Sequence, residues 1–544
     1  MKFLAALLLL GSHALRAQQL QGSIRDSVFG EPVSGVVVLL LDADGQPVRR
    51  TITNERGQYK AALDSTVRQL RLLRLGFRPR DVAVPARPSE SVRIDVVIVS
   101  IPRFLDAVDV RENPLCPRRS DQATAFAMWQ QARIGLLATV VAREENPARL
   151  FALTYQRPLI GTSDTFSQQR VHTHGGLHAV AFGAALTPAQ FLQKGFFAVD
   201  PDGGHVFYGP DAEVLLSEPF QAEYCFATAS DLRGRVGQVG LRFSPAKRPR
   251  GRVDIDGTLW IDTARRMLRD IEYRYLGLPS ASERFRPGGR VSFREMPAGL
   301  VMVDQWSIRA VSTGRAPTSG LSRNDPSPFE TTNRRFVATD NGGEIARADW
   351  PDGRSWRASL GTLRLRLIDS TGAAVAGVRV QLDSTDYTAV SDSSGLAEIQ
   401  NLLPGPYVAV VVDSAIASIG MKLNPPYEFV ASRDSVLTQT LIVLTEADVI
   451  AAGCGRNANT KRVSSVIGRV VTSDDSPVKG AGWEVAGSRG FSDSQGIFKT
   501  CAARDSTAEV HVWRKPALLR SSISKTVKVT FTNAVTVIRI ELPH

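Results

Sequence analysis

The chain of 544 residues, 43% hydrophobic and 22% charged, is too apolar for a largely disordered protein and too long for one core, so about three or four domains at ~150 residues each are expected. The formal net charge of +12 is spread along the sequence. Its one dense cluster, Lys247-Arg248-Pro249-Arg250-Gly251-Arg252, contains Pro and Gly and no interleaved aromatic residue; it reads as a solvated loop between strands and excludes nucleic acid as the expected partner.

The N-terminus has Lys2 as a positive start, an apolar run from Phe3 to Leu10, and small residues Ser12, Ala14 and Ala17 that offer cleavage sites, the pattern of a secretory signal peptide over residues 1–17. A membrane anchor needs about 20 apolar residues, whereas this run breaks at Gly11-Ser12-His13. No cysteine precedes Cys116, which argues against a lipid anchor, and later apolar runs such as Val36 to Leu41 have strand length. The mature chain is therefore expected in the periplasm or the medium, with no transmembrane segment. Four cysteines, Cys116, Cys225, Cys454 and Cys501, suit an oxidising compartment. Of the three pairings open to them, Cys116 with Cys225 and Cys454 with Cys501 would keep each bridge within a domain. A metal site would need close spacings such as Cys-x-x-Cys, which do not occur.

An ordered pattern then recurs three times along the chain. Copy one has Leu20 to Asp26, then Pro32-Val33-Ser34-Gly35-Val36-Val37-Val38, then Asn54-Glu55-Arg56-Gly57-Gln58-Tyr59. Copy two has Leu363 to Asp369, then Ala374 to Val380, then Asp392-Ser393-Ser394-Gly395-Leu396-Ala397; copy three has Val466 to Val470, then Pro477 to Ala481, then Asp493-Ser494-Gln495-Gly496-Ile497-Phe498. Each begins with an alternating strand. A Pro/Ala-Val-x-Gly step then brings the chain round, with Gly supplying a positive φ, and an Asn/Asp-x-x-Gly corner makes a tight turn in which the side chain bonds the backbone. Short strands punctuated in this way predict an antiparallel β-sandwich of about 80 residues.

This order resembles carboxypeptidase regulatory-like domains, which have a transthyretin-like, or prealbumin-like, sandwich fold. The resemblance covers about half of the chain in three copies. Copy one has Tyr59 in the aromatic place and Gly76-Phe77 as a later Gly-aromatic step; copy two has Ala397 there and keeps Leu403-Pro404-Gly405-Pro406-Tyr407; copy three has Phe498 and lacks that turn. The motif specifies a fold well and a function poorly, because such modules accompany many exported proteins.

Between copies one and two, residues 120–143 show helical spacing at Phe126, Trp129, Leu136, Leu137 and Val140, with Ser120 and Asp121 as caps and Arg133 as the polar exception, and predict an amphipathic helix. Thr187-Pro188 marks a short second helix. Strands are expected at Leu150 to Tyr155, Val236 to Phe243, Gly257 to Ile261, Met267 to Tyr275, Arg290 to Arg294 and Leu300 to Ile308, with an exposed loop over 312–335 and a hairpin around Asn341-Gly342-Gly343. This meander, with Gly257-Thr258-Leu259-Trp260-Ile261-Asp262, resembles the curved sheet of bacterial lipoprotein-sorting carriers, which implies an acyl-chain ligand. The expected fold class is mainly β: sandwiches at 18–102, 360–447 and 460–544 flanking a central α+β antiparallel-sheet domain at 115–350.

The candidate chemistry is sparse. A carboxypeptidase would need a His-x-x-Glu zinc pair, and His172, His174, His178, His205 and His511 are followed at the third position by Gly175, Leu177, Ala181, Tyr208 and Arg514. His172, His174 and His178 around a glycine turn form a candidate metal group without an adjacent carboxylate. Asp254 and Asp256 share a strand face, for which turn and strand-edge duty is the expected role. Trp483, Trp513, Tyr387 and Tyr407 are either a sugar-stacking platform or core, with core as the default. Neither a nucleophile elbow nor a phosphate loop occurs, so neither a catalytic residue nor a cofactor is expected.

The sequence thus points to an exported non-catalytic protein whose sandwiches act as spacers or interaction modules in the cell envelope, with an envelope protein, glycan or lipid as partner. A carbohydrate-binding protein and a periplasmic lipid or lipoprotein carrier are the alternatives. Leu105 to Val110 follows copy one as a short hydrophobic segment follows this module in TonB-dependent receptors, but the remaining sequence carries further soluble modules in place of the long strand-rich barrel.

Overall fold

The computed structural model describes residues 18–85, 91–101, 116, 122–177, 182–199, 201, 204–229, 234–247, 251–314, 335–412, 425–455, 458–459, 461–514 and 522–543. The signal-peptide segment, the caps Ser120 and Asp121, His178, the segment 105–110, most of the 312–335 loop and Arg248-Pro249-Arg250 lie outside them. The chain is mainly β and divides into two compact units, Met1–Ala358 and Ser359–His544. No helix among the described residues is long and apolar enough to cross a membrane.

The first unit starts with β1 (Gln19–Asp26), β2 (Val37–Leu41), β3 (Pro47–Ile52), β4 (Gln58–Ala62), β5 (Gln69–Leu73), β6 (Arg80–Ala83), β7 (Ser91–Arg93) and β8 (Val96–Ile98). They form two facing sheets, β4-β1-β7 with β8 also on β1, and β3-β2-β5-β6. Alternation along β1 sends Leu20 and Ile24 into the core between them.

Then come α1 (Gln122–Glu145), β9 (Arg149–Pro158), β10 (Arg170–Leu177), α2 (Pro188–Lys194), β11 (Phe197–Val199), β12 (His205–Phe207), α3 (Ala212–Leu216), α4 (Glu218–Glu223), β13 (Tyr224–Thr228), β14 (Gln238–Pro245), β15 (Asp254–Asp262), β16 (Met267–Leu276), β17 (Gly288–Met296), β18 (Leu300–Gly314), β19 (Arg335–Asp349) and β20 (Ser355–Arg357). Nine of these strands join in the order β10-β9-β19-β18-β17-β16-β15-β14-β13, and β20 pairs with β19. The four helices cover one face of this antiparallel sheet. A continuous apolar cluster that includes Trp129, Phe191, Phe220, Leu259, Ile271 and Phe293 fills the space beneath them.

The residues Asn341-Gly342-Gly343 make no hairpin: β19 runs straight through them, paired with β18 on one side and β9 on the other. The glycines are needed because a Cβ on Gly343 would stand 2.3 Å from the Trp306 ring and one on Gly342 2.5 Å from Tyr155 Oη. Helix α1 is not amphipathic either, since Gln131, Ala132, Ile134, Gly135, Leu136 and Ala138 are all buried. One side packs on the sheet, and the other takes Val37 and Ile52 of the first sandwich against Ala138, Val141 and Ala142. Leu75 of the sandwich even enters the cluster beneath the helices.

The second unit holds β21 (Gly361–Ile368), β22 (Arg379–Leu382), β23 (Thr388–Val390), β24 (Leu396–Leu402), β25 (Gly405–Val412), β26 (Tyr427–Ala431), β27 (Val436–Ile442), α5 (Glu446–Cys454), β28 (Val463–Thr472), β29 (Gly482–Val485), β30 (Ser488–Phe491), β31 (Ile497–Ala503), β32 (Thr507–Arg514), β33 (Ile523–Thr530) and β34 (Val535–Leu542). The strand order of the first sandwich recurs twice: β24-β21-β27 faces β23-β22-β25-β26, and β31-β28-β34 faces β30-β29-β32-β33. The last strand lies parallel to the first in each case, as β8 does to β1.

The recurrence reaches single atoms. Asn54, Asp392 and Asp493 each accept two backbone N–H bonds with Oδ1, from Arg56 and Gln58, Ser394 and Leu396, and Gln495 and Ile497. The corner glycines take φ of +68°, +77° and +73° at Gly57, Gly395 and Gly496. A Cβ there would meet the carbonyl oxygens of Ile24, Leu367 and Val470 at 2.4, 2.5 and 2.3 Å. A hydroxyl just before each corner closes the opposite turn: Thr53, Ser391 and Ser492 accept from the N–H of Val36, Val378 and Ala481 and donate to the carbonyls of Val33, Val375 and Val478.

Candidate functional site

The structure joins Cys116 to Cys225 and Cys454 to Cys501. The first bridge ties the segment before α1 to β13, beside the stack of Trp129 on Phe226 at 4.2 Å. The second fastens the end of α5 to β31, where Val449 packs on Ile467 and Ile497 of the sheet below. Both are placed to hold helices on sheets.

His172 and His174 share an exposed face of the edge strand β10, and His174 Nε2 lies 2.8 Å from Thr154 Oγ1. Among the described residues no group of three or more His, Cys, Asp or Glu is placed to hold a metal ion.

Asp254 and Asp256 have neither turn nor strand-edge duty, because β15 lies inside the sheet between β14 and β16. Both are buried and paired with arginines. Arg274 Nε donates to Asp256 at 2.5 Å, and Arg252 Nε donates to Asp254 at 3.1 Å, with Tyr224 Oη on the same carboxylate at 3.0 Å. Burial above all, with Asp254 beside it, pushes the Tyr224 phenol well above its usual pKa. Further along, Asp270 accepts from Arg235 and Arg290, and Asp304, bulged out of the pairing between β17 and β18, accepts from Arg294. Burial raises the Asp304 carboxyl, Arg294 opposes the shift, and Glu344 adds to it. Sequence spacing shows the i, i+2 carboxylates; Asp256 finds its arginine partner Arg274 on the neighbouring strand β16, whereas Asp254 takes Arg252 from just before its own strand and Tyr224 from β13. Paired in this way, the carboxylates are structural charges.

The candidate aromatic platform is core. Trp483, Tyr387 and Tyr407 are buried, Trp483 stacks on Phe498 at 5.0 Å and Tyr407 on Phe429 at 5.5 Å, and Trp513 is half-buried.

A cleft of about 460 Å³ lies where β1, β3 and β4 of the first sandwich meet the end of α1. Its wall includes Gln58, Tyr59, Lys60, Glu145, Asn146 and Arg354. Tyr59 Oη donates to the Ile94 carbonyl at 2.8 Å, and burial, aided by Asp95, pushes its pKa far up, so it stays a neutral phenol. Burial also raises the Glu145 carboxyl, against the pull of Arg49. Arg354 is held by Asp352 and lies 3.9 Å from Glu55 of the corner turn. Among the described residues neither a histidine nor a cysteine lines this wall. Amides, hydroxyls, a lysine, two arginines and a carboxyl can hydrogen-bond a polar ligand there.

Residues 19–99 match the carboxypeptidase regulatory-like domain. The cleft therefore borders the corner of this regulatory-like domain. No curated protein matches the chain. Among solved structures, the chain aligns with the Bacillus anthracis TIE protein at 11% identity over 63% of this chain and 64% of that one, with a TM-score of 0.15. It thus spans just under two thirds of that protein. The minor pilin GBS52 of Streptococcus agalactiae aligns at 12% identity over 34% of this chain and 95% of that one, TM-score 0.15. The shaft pilin SpaA of Lactobacillus rhamnosus GG aligns at 9% over 34% and 97%, TM-score 0.14. At such TM-scores these likenesses carry no argument about this chain.

Proposed function

We propose that the chain is an exported, non-catalytic protein of the cell envelope or surface, periplasmic or secreted, whose sandwiches act as spacers and interaction modules around a central domain. In this reading residues 18–102, 360–447 and 460–544 are three regulatory-like sandwiches, 115–350 is the α+β domain, and 1–17 is a signal peptide. The shared strand order and the repeated corner bonds support the three-copy assignment.

The observation that carries the functional reading is the filled centre. The sheet's covered face is occupied by the cluster around Trp129, Leu259 and Ile271, so a lipid or lipoprotein carrier would have to displace packed side chains. The polar cleft beside Lys60 and Arg354 instead suits a polar partner: an envelope protein, or, as the second reading, an envelope glycan.

The test is the full chain produced with residues 1–17 and fractionated. Recovery outside the cytoplasm, with a new N-terminus near residue 18, four oxidised cysteines and no acyl lipid by mass spectrometry, is the expected result. Retention inside with free thiols overturns export, and stoichiometric acyl lipid overturns the filled-scaffold reading in favour of the carrier. Polysaccharide binding lost on Lys60→Glu would select the glycan reading.

A further inference from the structure

We propose that β27 is a self-pairing edge, to which a second copy of this chain adds its own β27, antiparallel, about a two-fold axis at Gln439. Three observations within the second unit carry this.

First, β27 ends the sheet β24-β21-β27 and, among the described residues, pairs only with β21. The Val443 N–H donates to the Ile368 carbonyl and the Ser435 carbonyl accepts from Thr362, so the odd-numbered residues bond inward. In a parallel pair these bonds alternate, which leaves the N–H and C=O of Val436, Thr438, Thr440 and Ile442 directed away from β21. Gln439 Nε2 reaches round to the Thr440 carbonyl at 3.3 Å, a local stand-in for a ladder partner.

Second, the strand lacks the charges that blunt edges. The edge strands β3, β10, β24, β31, β33 and β34 each carry at least one charged side chain, whereas the seven-residue β27, Val436-Leu437-Thr438-Gln439-Thr440-Leu441-Ile442, carries none, like the shorter edge strands β8, β13 and β23. Its exposed residues Val436, Thr438, Thr440 and Ile442 are uncharged, with Val436 56% and Ile442 62% exposed.

Third, that sequence is a near-palindrome centred on Gln439. An isologous contact needs a self-complementary surface, and antiparallel pairing about Gln439 provides one. Val436 faces Ile442 of the partner subunit, Thr438 faces Thr440 of the partner subunit, and Gln439 faces Gln439 of the partner subunit. Each even-numbered residue meets another whose N–H and C=O point across the gap, so both sets of edge bonds close, and Thr–Thr and Val–Ile are favourable cross-strand pairs. The two three-stranded sheets become one continuous sheet.

The experiment is sedimentation velocity on the full chain over a concentration series, with three variants. The unmodified chain is expected to dimerise, and Thr438→Lys to weaken the dimer roughly tenfold or more with an unchanged thermal midpoint, because the side chain is exposed. Gln439→Cys is expected to give a covalent dimer on oxidation, and Thr438→Cys, whose own counterpart lies out of register, to cross-link far more slowly. A chain monomeric at every concentration, a dimer indifferent to Thr438→Lys, or equal cross-linking of both cysteines would each overturn the proposal.

Discussion

Arg74, at the end of the first sandwich, donates from Nη1 to the backbone carbonyl of Arg266, in the turn between β15 and β16, at 3.0 Å. Its Nε donates to the Ser34 carbonyl at 2.9 Å. One guanidinium thus ties the sandwich loop to the central sheet, close to Arg266, which itself lies over the Phe77 ring at 4.9 Å. Arg74→Ala leaves both carbonyls without this donor and is expected to cost about 2–3 kcal/mol. Arg74→Lys restores only part of that, since an ammonium lacks the fork that spans two acceptors. Urea unfolding of the full chain measures both, and a loss below about 0.5 kcal/mol for Arg74→Ala would show that the tie is idle.

The buried hydroxyls before the corners should tolerate exchange and resist deletion. Ser492→Ala deprives the Ala481 N–H and the Val478 carbonyl of their partner and is expected to cost about 1–3 kcal/mol. Ser492→Thr should be close to neutral, because Thr53 makes the same two bonds in the first sandwich. Thermal unfolding of the two variants distinguishes these outcomes, and equal losses would contradict the shared geometry.

The disulfides close long loops, with sequence separations of 109 for Cys116–Cys225 and 47 for Cys454–Cys501. The chain-entropy relation assigns them about 5 and about 4 kcal/mol respectively. Reduction is expected to lower the unfolding midpoint of the native chain toward that of a Cys116→Ser/Cys225→Ser, Cys454→Ser/Cys501→Ser variant. No shift with reductant would contradict their stabilising role.

Asp211, just before α3, is buried, and burial raises its pKa against the pull of Arg143. The folded state therefore binds this proton more tightly than the unfolded chain, whose Asp titrates near about 3.9. The contribution of this group to stability is full below about pH 4 and is lost as pH rises through the raised folded pKa. Asp211→Asn, which cannot ionise, is expected to stabilise the chain at pH 7 and to make no difference below about pH 4. Denaturation at the two pH values checks the sign; equal effects at both would contradict it.

The sandwiches were legible because their signals are local. Asn54 and Gly57, Asp392 and Gly395, and Asp493 and Gly496 sit three residues apart and bond to their own turn. The clasp residues Thr53, Ser391 and Ser492 were missed, although alignment of the copies shows a hydroxyl before every corner. What the sequence hid is set by distant partners. Asn341-Gly342-Gly343 has the composition of a turn and is held extended by the rings of Trp306 and Tyr155. Asp256 finds Arg274 and Arg242 only once β14, β15 and β16 are paired. The cleft gathers Tyr59, Glu145 and Arg354 from three separate segments, and no spacing rule joins them. The second buried side of α1 likewise depends on Val37 and Ile52 of the first sandwich.

The central claim is that the first sandwich is built into the central domain, so that Leu75 and helix α1 belong to one cooperative body. A Cβ on Gly135 of α1 would stand 2.8 Å from Leu75 Cδ1 and 2.9 Å from Leu268 Cγ, which leaves no slack at that junction. Leu75→Ala should cost about 2–5 kcal/mol. The most direct measurement is amide hydrogen exchange of the full chain with and without this substitution. Faster exchange in β2, β5, α1 and β16 together is the predicted result; acceleration confined to the sandwich strands, with α1 and β16 unchanged, would contradict it.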